Sequence, residues 1–369
     1  SPPVATPDLS ATPADLDLSQ EPATPTTRTP PTTPLELAFV GDIILGKYKL
    51  REYAPLFAPG EDPFAGVREL LKADAAFANL ETPLMHTRPE KSPIYIGSRF
   101  GADKAAARAL VGTFAAVSVA NNHMLDLLTP GLKETPEVLR ELGISPVGAA
   151  TATGDPVVVV TLERAGWRLA LLSATTWTNR PPAPGDPALP VYRTSELRRK
   201  LQPAISAARA DHDLVIVLLH WGRERREKPE PAQIHAAHAF VDAGADLVIG
   251  HHPHVLQGIE RYGEGLIAYS LGNFLFPARE EGFRDSAVMR VTVSAEPRGG
   301  VDARLDPVRL TESPSHAPRP AVRRELRSTL ERLRRLSNLR RTRSIELAEG
   351  LLLEAGGTTT KGHLPRQPP

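Results

Sequence analysis

Residues Ala245–His254 read ADLVIGHHPH, a short apolar run that ends in three histidines set around a proline. The whole chain has only 11 histidines, so three of them within four positions mark this stretch out. The apolar run reads as a buried strand, and the polar cluster as what that strand delivers at its C-terminal end. If so, neighbouring strands should deliver partners to the same place.

Five further apolar runs end in polar residues: LELAFVGD (35–42), ADAAFANLE (73–81), FAAVSVANNH (114–123), DLVIVLLHWG (213–222) and LIAYSLGNF (266–274). Their apolar residues are mostly continuous rather than alternating, as expected of strands buried on both faces. Helical patterns lie between several of them, over 130–143, 194–210 and 230–244. Strand–helix–strand alternation predicts an α/β fold. Residues 284–310 alternate around a Gly-Gly pair and predict an antiparallel hairpin that closes the core.

The 369-residue chain is 41% apolar and 24% charged, which suits a globular protein with a sizeable core. A net charge of +1 gives no overall field for nucleic acid, and no nucleic-acid partner is expected. The absence of cysteine excludes thiolate metal sites, thiol nucleophiles and disulfides. Residues 1–34 are rich in Pro, Thr, Ala and Ser and predict an extended, disordered linker. Such stalks separate membrane anchors from exported domains. The chain begins with Ser, so an anchor or export signal is expected to have been removed, and the expected location is the cell envelope or the outer face of the membrane.

A main domain is expected over 35–312 and an Arg-rich helical extension over 313–354. In the extension, Val322, Leu326, Leu330 and Leu333 recur at helix spacing. Its basic face is either solvated or meets an anionic polymer or membrane surface. Residues 355–369 read as a flexible tail.

In open α/β sheets, sites form at the C-terminal ends of strands. Here those ends carry Asp42; Asn79 and Glu81; Asn121, Asn122 and His123; His220; and His251, His252 and His254. Carboxylate, amide oxygen and imidazole together suit Mn²⁺, Fe²⁺ or Zn²⁺ better than Mg²⁺ or Ca²⁺. One or two ions are expected. His252 and His254 flank Pro253, which stiffens the loop that would present them. His235 and His238, at helical spacing, are a weaker candidate metal pair.

The ordered blocks FVGDIILG, NLETPL, VANNHMLD, LLHWGRE, VIGHHPHVLQG and YSLGNFLF resemble the CapA family of poly-γ-glutamate capsule synthesis, within the calcineurin-like metallophosphatase superfamily. The resemblance covers residues 35–310. It implies a four-layer core, two mixed sheets flanked by helices, with a metal site at the strand ends. It also implies Asp42, Asn122, His220, His252 and His254 as metal ligands, with Glu81 as the bridging carboxylate and His123 as the acid that protonates a leaving oxygen. Asn79, Asn121, His251, Arg223 and Asn273 are expected to support those ligands or meet substrate. Two places depart from the pattern, one being the second block, which reads NLE rather than Gly-Asp-x-x-Asp. At the other, Ile44 stands where the phosphatases carry a metal-binding His.

Two functions follow as expectations. One is a metal-dependent hydrolase or transferase of the cell envelope, acting on an anionic polymer such as poly-γ-glutamate or on a phosphoester. The other is a non-catalytic factor for capsule assembly or export, working with membrane-bound capsule synthesis proteins.

Overall fold

The computed structural model describes residues 31–353, apart from 95–96, 150–156, 279, 296–299, 314, 341 and 348–349. The expected linker up to residue 30 and the expected tail over 355–369 lie outside the described residues. Of the linker's last positions, Thr33 meets the core, its carbonyl accepting a hydrogen bond from Trp167 Nε1 at 2.9 Å.

Two mixed sheets form the centre. In the first, Leu35–Ile43, Ala75–Leu80, Ala116–Ser118 and Ser145–Val147 run parallel to one another. The strand Leu35–Ile43 also pairs antiparallel with Asp285–Val293, which pairs in turn with Val301–Leu310. These last two strands are the expected hairpin. In the second sheet, Trp167–Thr175, Leu214–His220, Leu247–His251 and Gly265–Ala268 are parallel. Antiparallel edge strands, Val160–Arg164 and Ile259–Tyr262, flank them.

Period-2 side-chain alternation then explains the continuous apolar runs. Odd positions of the first strand (Leu35, Leu37, Phe39) face the second sheet's Leu169, Leu171, Ile216 and Leu218 in one shared core. Even positions (Ala38, Val40) face outward, onto Leu132, Val138 and Leu139 of the helix Leu128–Glu141. On the far side, Val215, Val217 and Leu219 pack against the helices Thr194–Asp211 and Pro231–Asp242 through Leu197, Leu201, Ile205 and Phe240. Helix, sheet, sheet and helix make the four layers. All seven residues of LVIVLLH are buried because both faces of their strand are covered.

The Arg-rich helix exists, but it is shorter than the helical extension expected over 313–354. It spans Arg323–Asn338 and places Leu330 and Leu333 in the core between the sheets. Beyond it the chain returns as two strands, Ser344–Glu346 and Leu351–Leu353, the second paired with Val301–Leu310. The helical spacing of leucines stops at Leu333 and Leu336, whereas Leu351 and Leu353 alternate inward with period 2. The open edge of the hairpin offers them backbone partners. The C-terminal segment is therefore built into the first sheet rather than appended to it.

Two close backbone approaches bring the strand ends together. A Cβ on Gly41 would lie 1.9 Å from the Gly272 carbonyl oxygen, and one on Gly250 would lie 2.0 Å from the Tyr269 oxygen. The first contact carries a hydrogen bond, Asp42 N–H to Gly272 O at 3.0 Å, so the site is assembled only where no side chain intervenes. Gly41→Ala should therefore cost about 1–3 kcal/mol or more, the range for overpacking. Gly282→Ala, where the added carbon meets nothing within 4 Å, should be neutral. Urea denaturation followed by tryptophan fluorescence checks this; equal midpoints for the two variants would contradict the contact.

Candidate metal centre

Each expected donor stands at a strand end, and donors from the two sheets meet. Asp42 is fully buried near the end of the first strand. Its Oδ1 accepts from Asn79 Nδ2 at 2.8 Å, and its Oδ2 lies 3.2 Å from His254 Nδ1. Asn79 Nδ2 also lies 3.2 Å from His220 Nδ1 and donates to Glu81 Oε1 at 3.3 Å. His220 Nε2 sits 2.8 Å from Asn122 Oδ1, and its ring centroid is 4.6 Å from that of His252. Asp42, Glu81, Asn122, His220, His252 and His254 thus come together.

The loop after the strand Leu247–His251 is strained. His252 and His254 both adopt positive φ, +95° and +58°, which is uncommon for residues with a Cβ. Such conformations cost about 1–3 kcal/mol each and persist only where surroundings over-determine them. Three bonds do so here. The His252 N–H donates to Asp42 Oδ2 at 3.3 Å, the Arg225 N–H to the Pro253 carbonyl at 2.9 Å, and Asn273 Nδ2 to the His254 carbonyl at 3.3 Å. Asn273 Oδ1 also contacts His254 Nδ1 at 2.9 Å, so Asn273 holds the loop and the ring together.

The supporting residues separate. Asn121 braces the turn, donating to the Leu80 carbonyl at 2.8 Å and accepting from the His123 N–H at 3.2 Å. His251 points instead to the Val40 carbonyl, at 3.1 Å. Arg223 is not brought into the cluster. It is largely exposed and pairs with Glu230 at 2.9 Å. Of the weaker pair, His235 is exposed while His238 meets Glu260 at 2.9 Å and stacks on Tyr262. Ile44 is buried in the outer core of the first sheet.

Protonation differs sharply from residue to residue. Burial raises the Asp42 carboxyl, but the His254 hydrogen bond and the charges of His254, His251 and His220 outweigh it, so Asp42 is held below the usual carboxylate range. Glu81 is pushed well above that range by burial and by the Asp42 charge. Burial and the neighbouring His252 hold His220 well below the usual imidazole range. Burial and the His254 charge bring His252 down to about 3. His254 is raised. Burial opposes protonation there, but the hydrogen bond and charge of Asp42 prevail.

This donor set fits a divalent cation. Two groups, Asp42–Glu81–His254 and Glu224–His252–His254, each offer three ligand atoms within 4.8 Å of one another. Among the described residues, Glu81 Oε2 and His252 Nδ1 are buried without a hydrogen-bond partner. Unpaired buried donors of this kind are costly unless something occupies them.

Sequence reasoning missed four residues. Glu224 sits in the block HWGRERREK, where the arginines drew attention instead. Asp126 lies three residues after His123 and meets its Nδ1 at 2.7 Å, a spacing that could have exposed it. Asn179 reaches the same Nδ1 at 3.3 Å, and the Trp177 ring lies 5.3 Å from His252. Both come from a long loop with no motif of its own.

A family model described as bacterial capsule synthesis protein PGA_cap matches residues 36–278. The capsule biosynthesis protein CapA of Bacillus anthracis is 33% identical over 266 residues, covering 69% of this chain and 63% of that protein. The chain therefore spans less than two thirds of that relative. The PGA biosynthesis protein CapA of Bacillus subtilis is 31% identical over 285 residues, covering 72% of this chain and 70% of that protein. A solved structure of a hypothetical protein from Thermus thermophilus is 18% identical and covers 78% of this chain and 96% of its own, with a TM-score of 0.40.

Metal uptake should release protons, because Glu81 and His254 both hold them more tightly than free groups do. Zn²⁺ affinity should rise with pH between about 6 and 8, the sign expected when metal competes with protons. Titration calorimetry in two buffers of different ionisation enthalpy measures the release. Glu81→Gln should lower it; an unchanged count would remove Glu81 from the site. Separately, Glu224→Ala should lower the bound metal measured by plasma emission, and undiminished content would exclude Glu224 as a ligand.

Proposed function

The chain belongs to the bacterial capsule synthesis family, and from that premise we propose that it is a metal-dependent hydrolase or transferase of the cell envelope. Its substrate is an anionic polymer such as poly-γ-glutamate, or a phosphoester. One observation carries the reading. His123, buried at the rim of the donor cluster, has its Nδ1 2.7 Å from Asp126 and its Nε2 3.9 Å from the Glu81 carboxylate. A histidine oriented by a carboxylate through one nitrogen, with the other turned toward the reacting region, is equipped for proton transfer.

Asp42, Glu81, Asn122, His220, His252 and His254 would hold one or two ions of Mn²⁺, Fe²⁺ or Zn²⁺, with Glu224 available to a second position. A divalent ion held there would supply Lewis-acid polarisation. The chain's own residues do the rest. Asn79 donates to Asp42 and touches His220, which keeps donors of both sheets in register. Asp126 accepts from the Phe100 N–H at 2.8 Å and is thereby fixed against His123. Phe100 packs on the His123 ring with centroids 4.0 Å apart, limiting its rotation. His123 Nε2 is then positioned to give a proton to the leaving atom.

The location at the envelope rests on the Pro/Thr-rich composition of residues 1–34 and on the relatives' roles in capsule synthesis. Among the described residues, no helix is long and apolar enough to cross a membrane.

The second reading, an assembly or export factor working with membrane-bound capsule proteins, is favoured by Ile44. It replaces a ligand of the resembling phosphatases with a core side chain. His123→Ala should slow turnover about 10²-fold or more, the scale of general acid catalysis, and leave metal content unchanged. His252→Ala should lose both. If wild type turns over neither phosphoesters nor polymer with Mn²⁺, Zn²⁺ or Fe²⁺ supplied, and His123→Ala restores capsule in cells lacking the native gene, the assembly reading replaces the enzyme.

A further inference from the structure

The two residues that orient His123 have a second role in the architecture. Asp126 and Asn179 also line a cavity of about 250 Å³ whose other walls are Ile94, Arg99 and Arg180. The cavity is therefore next to the proposed proton donor, and it presents two guanidinium groups.

The single carboxylate in the cavity is largely committed elsewhere. Asp126 Oδ2 takes the His123 ring and the Phe100 N–H, while Asp126 Oδ1 lies 4.0 Å from Arg99 Nη1, a loose contact. The Arg99 side chain is only 17% exposed. Its Nη1 donates to the Ser98 carbonyl at 2.8 Å, and its Nε is buried with no hydrogen-bond partner among the described residues. A guanidinium removed from water with an unmet donor carries an uncompensated desolvation cost. Arg180 is exposed and has no ion-pair partner among the described residues. The wall thus has an excess of positive charge and spare donors in fork geometry, the arrangement that matches carboxylate or phosphate oxygens. Ile94 adds an apolar side that suits a few methylene carbons. The volume is below the roughly 300–1,000 Å³ of pockets for drug-sized ligands. It admits one charged group with a short carbon stem rather than a nucleotide.

We infer that this cavity is an oxyanion subsite. Arg99 and Arg180 hold a carboxylate or phosphate of the substrate there and set its reacting bond beside His123. The inference rests on the functional reading above and adds to it the residues that select an anionic substrate.

The test is titration of the metal-loaded protein with two probes, a short γ-glutamate oligomer and inorganic phosphate, followed by calorimetry at low salt. Arg99→Ala and Arg180→Ala should each weaken binding about tenfold, the effect of losing one charge-assisted hydrogen-bonding group. Arg198→Ala, a change of the same charge on an exposed helix position, should have no effect. Loss confined to the oligomer assigns a carboxylate to the subsite, and loss confined to phosphate assigns a phosphate. Arg180 is exposed, so its variant remains informative even if Arg99→Ala fails to fold. If folded variants bind both probes within about twofold of wild type, or wild type binds neither, the subsite is overturned. Metal content, measured on the same samples, separates this failure from that of the functional reading. Loss of the subsite leaves metal binding intact, whereas a wild type that takes up no divalent ion defeats the proposed enzyme itself.

Discussion

The buried carboxylate of Asp42 is the contact on which the arrangement depends. A charge with no solvent exposure is tolerable only if it is paired and fully hydrogen-bonded. Its partners come from different parts of the chain: Asn79 from the adjacent strand, and the His252 N–H and the His254 ring from the loop of the second sheet. One side chain therefore links the two sheets at their site-bearing ends. The positive φ at His252 and His254 is the strain this linkage sustains.

That strain and the unmatched protonation states have a common origin. Six donors compressed into a dry space cannot all take their ordinary charges. Asp42 and His254 are shifted toward their charged forms, while Glu81, His220 and His252 are shifted toward their neutral ones. A divalent cation would relieve the crowding, because it can share the carboxylates and imidazoles that now repel or orphan one another. His123 stands one step outside this crowd, tied to Asp126, which makes it available for a proton-transfer role distinct from ligation.

The C-terminal segment connects to the same region. Arg332 bridges Asp285 of the hairpin and Glu227, and Arg335 also pairs with Glu227. Glu227 lies three residues beyond Glu224, in the loop bonded to Pro253 through the Arg225 N–H. The helix thus closes the core between the sheets with its leucines and steadies the loop that carries Glu224 with its arginines. A basic helix face that in sequence reads as solvated, or as meeting an anionic polymer or membrane surface, is in part a brace.

The sequence by itself determined the α/β class, the donor-bearing strand ends and the interior helices. Those features are written in local periodicity and in polar residues placed directly after apolar runs. Asp42, Asn79, Glu81, Asn122, His220, His252 and His254 were legible because each lies at a strand end or within a few residues after one, where the strand delivers the chain to one edge. Tertiary structure decided the rest. Glu224, Asp126 and Asn179 lie on loops or turns whose direction depends on distant backbone bonds, and Arg223, equally plausible in sequence, turns to Glu230 instead. The strands after Asn338 were hidden for a similar reason. A three-residue strand such as Leu351–Leu353 has little periodicity of its own, and what makes it a strand is the unpaired edge of Val301–Leu310, supplied by a distant and earlier part of the chain.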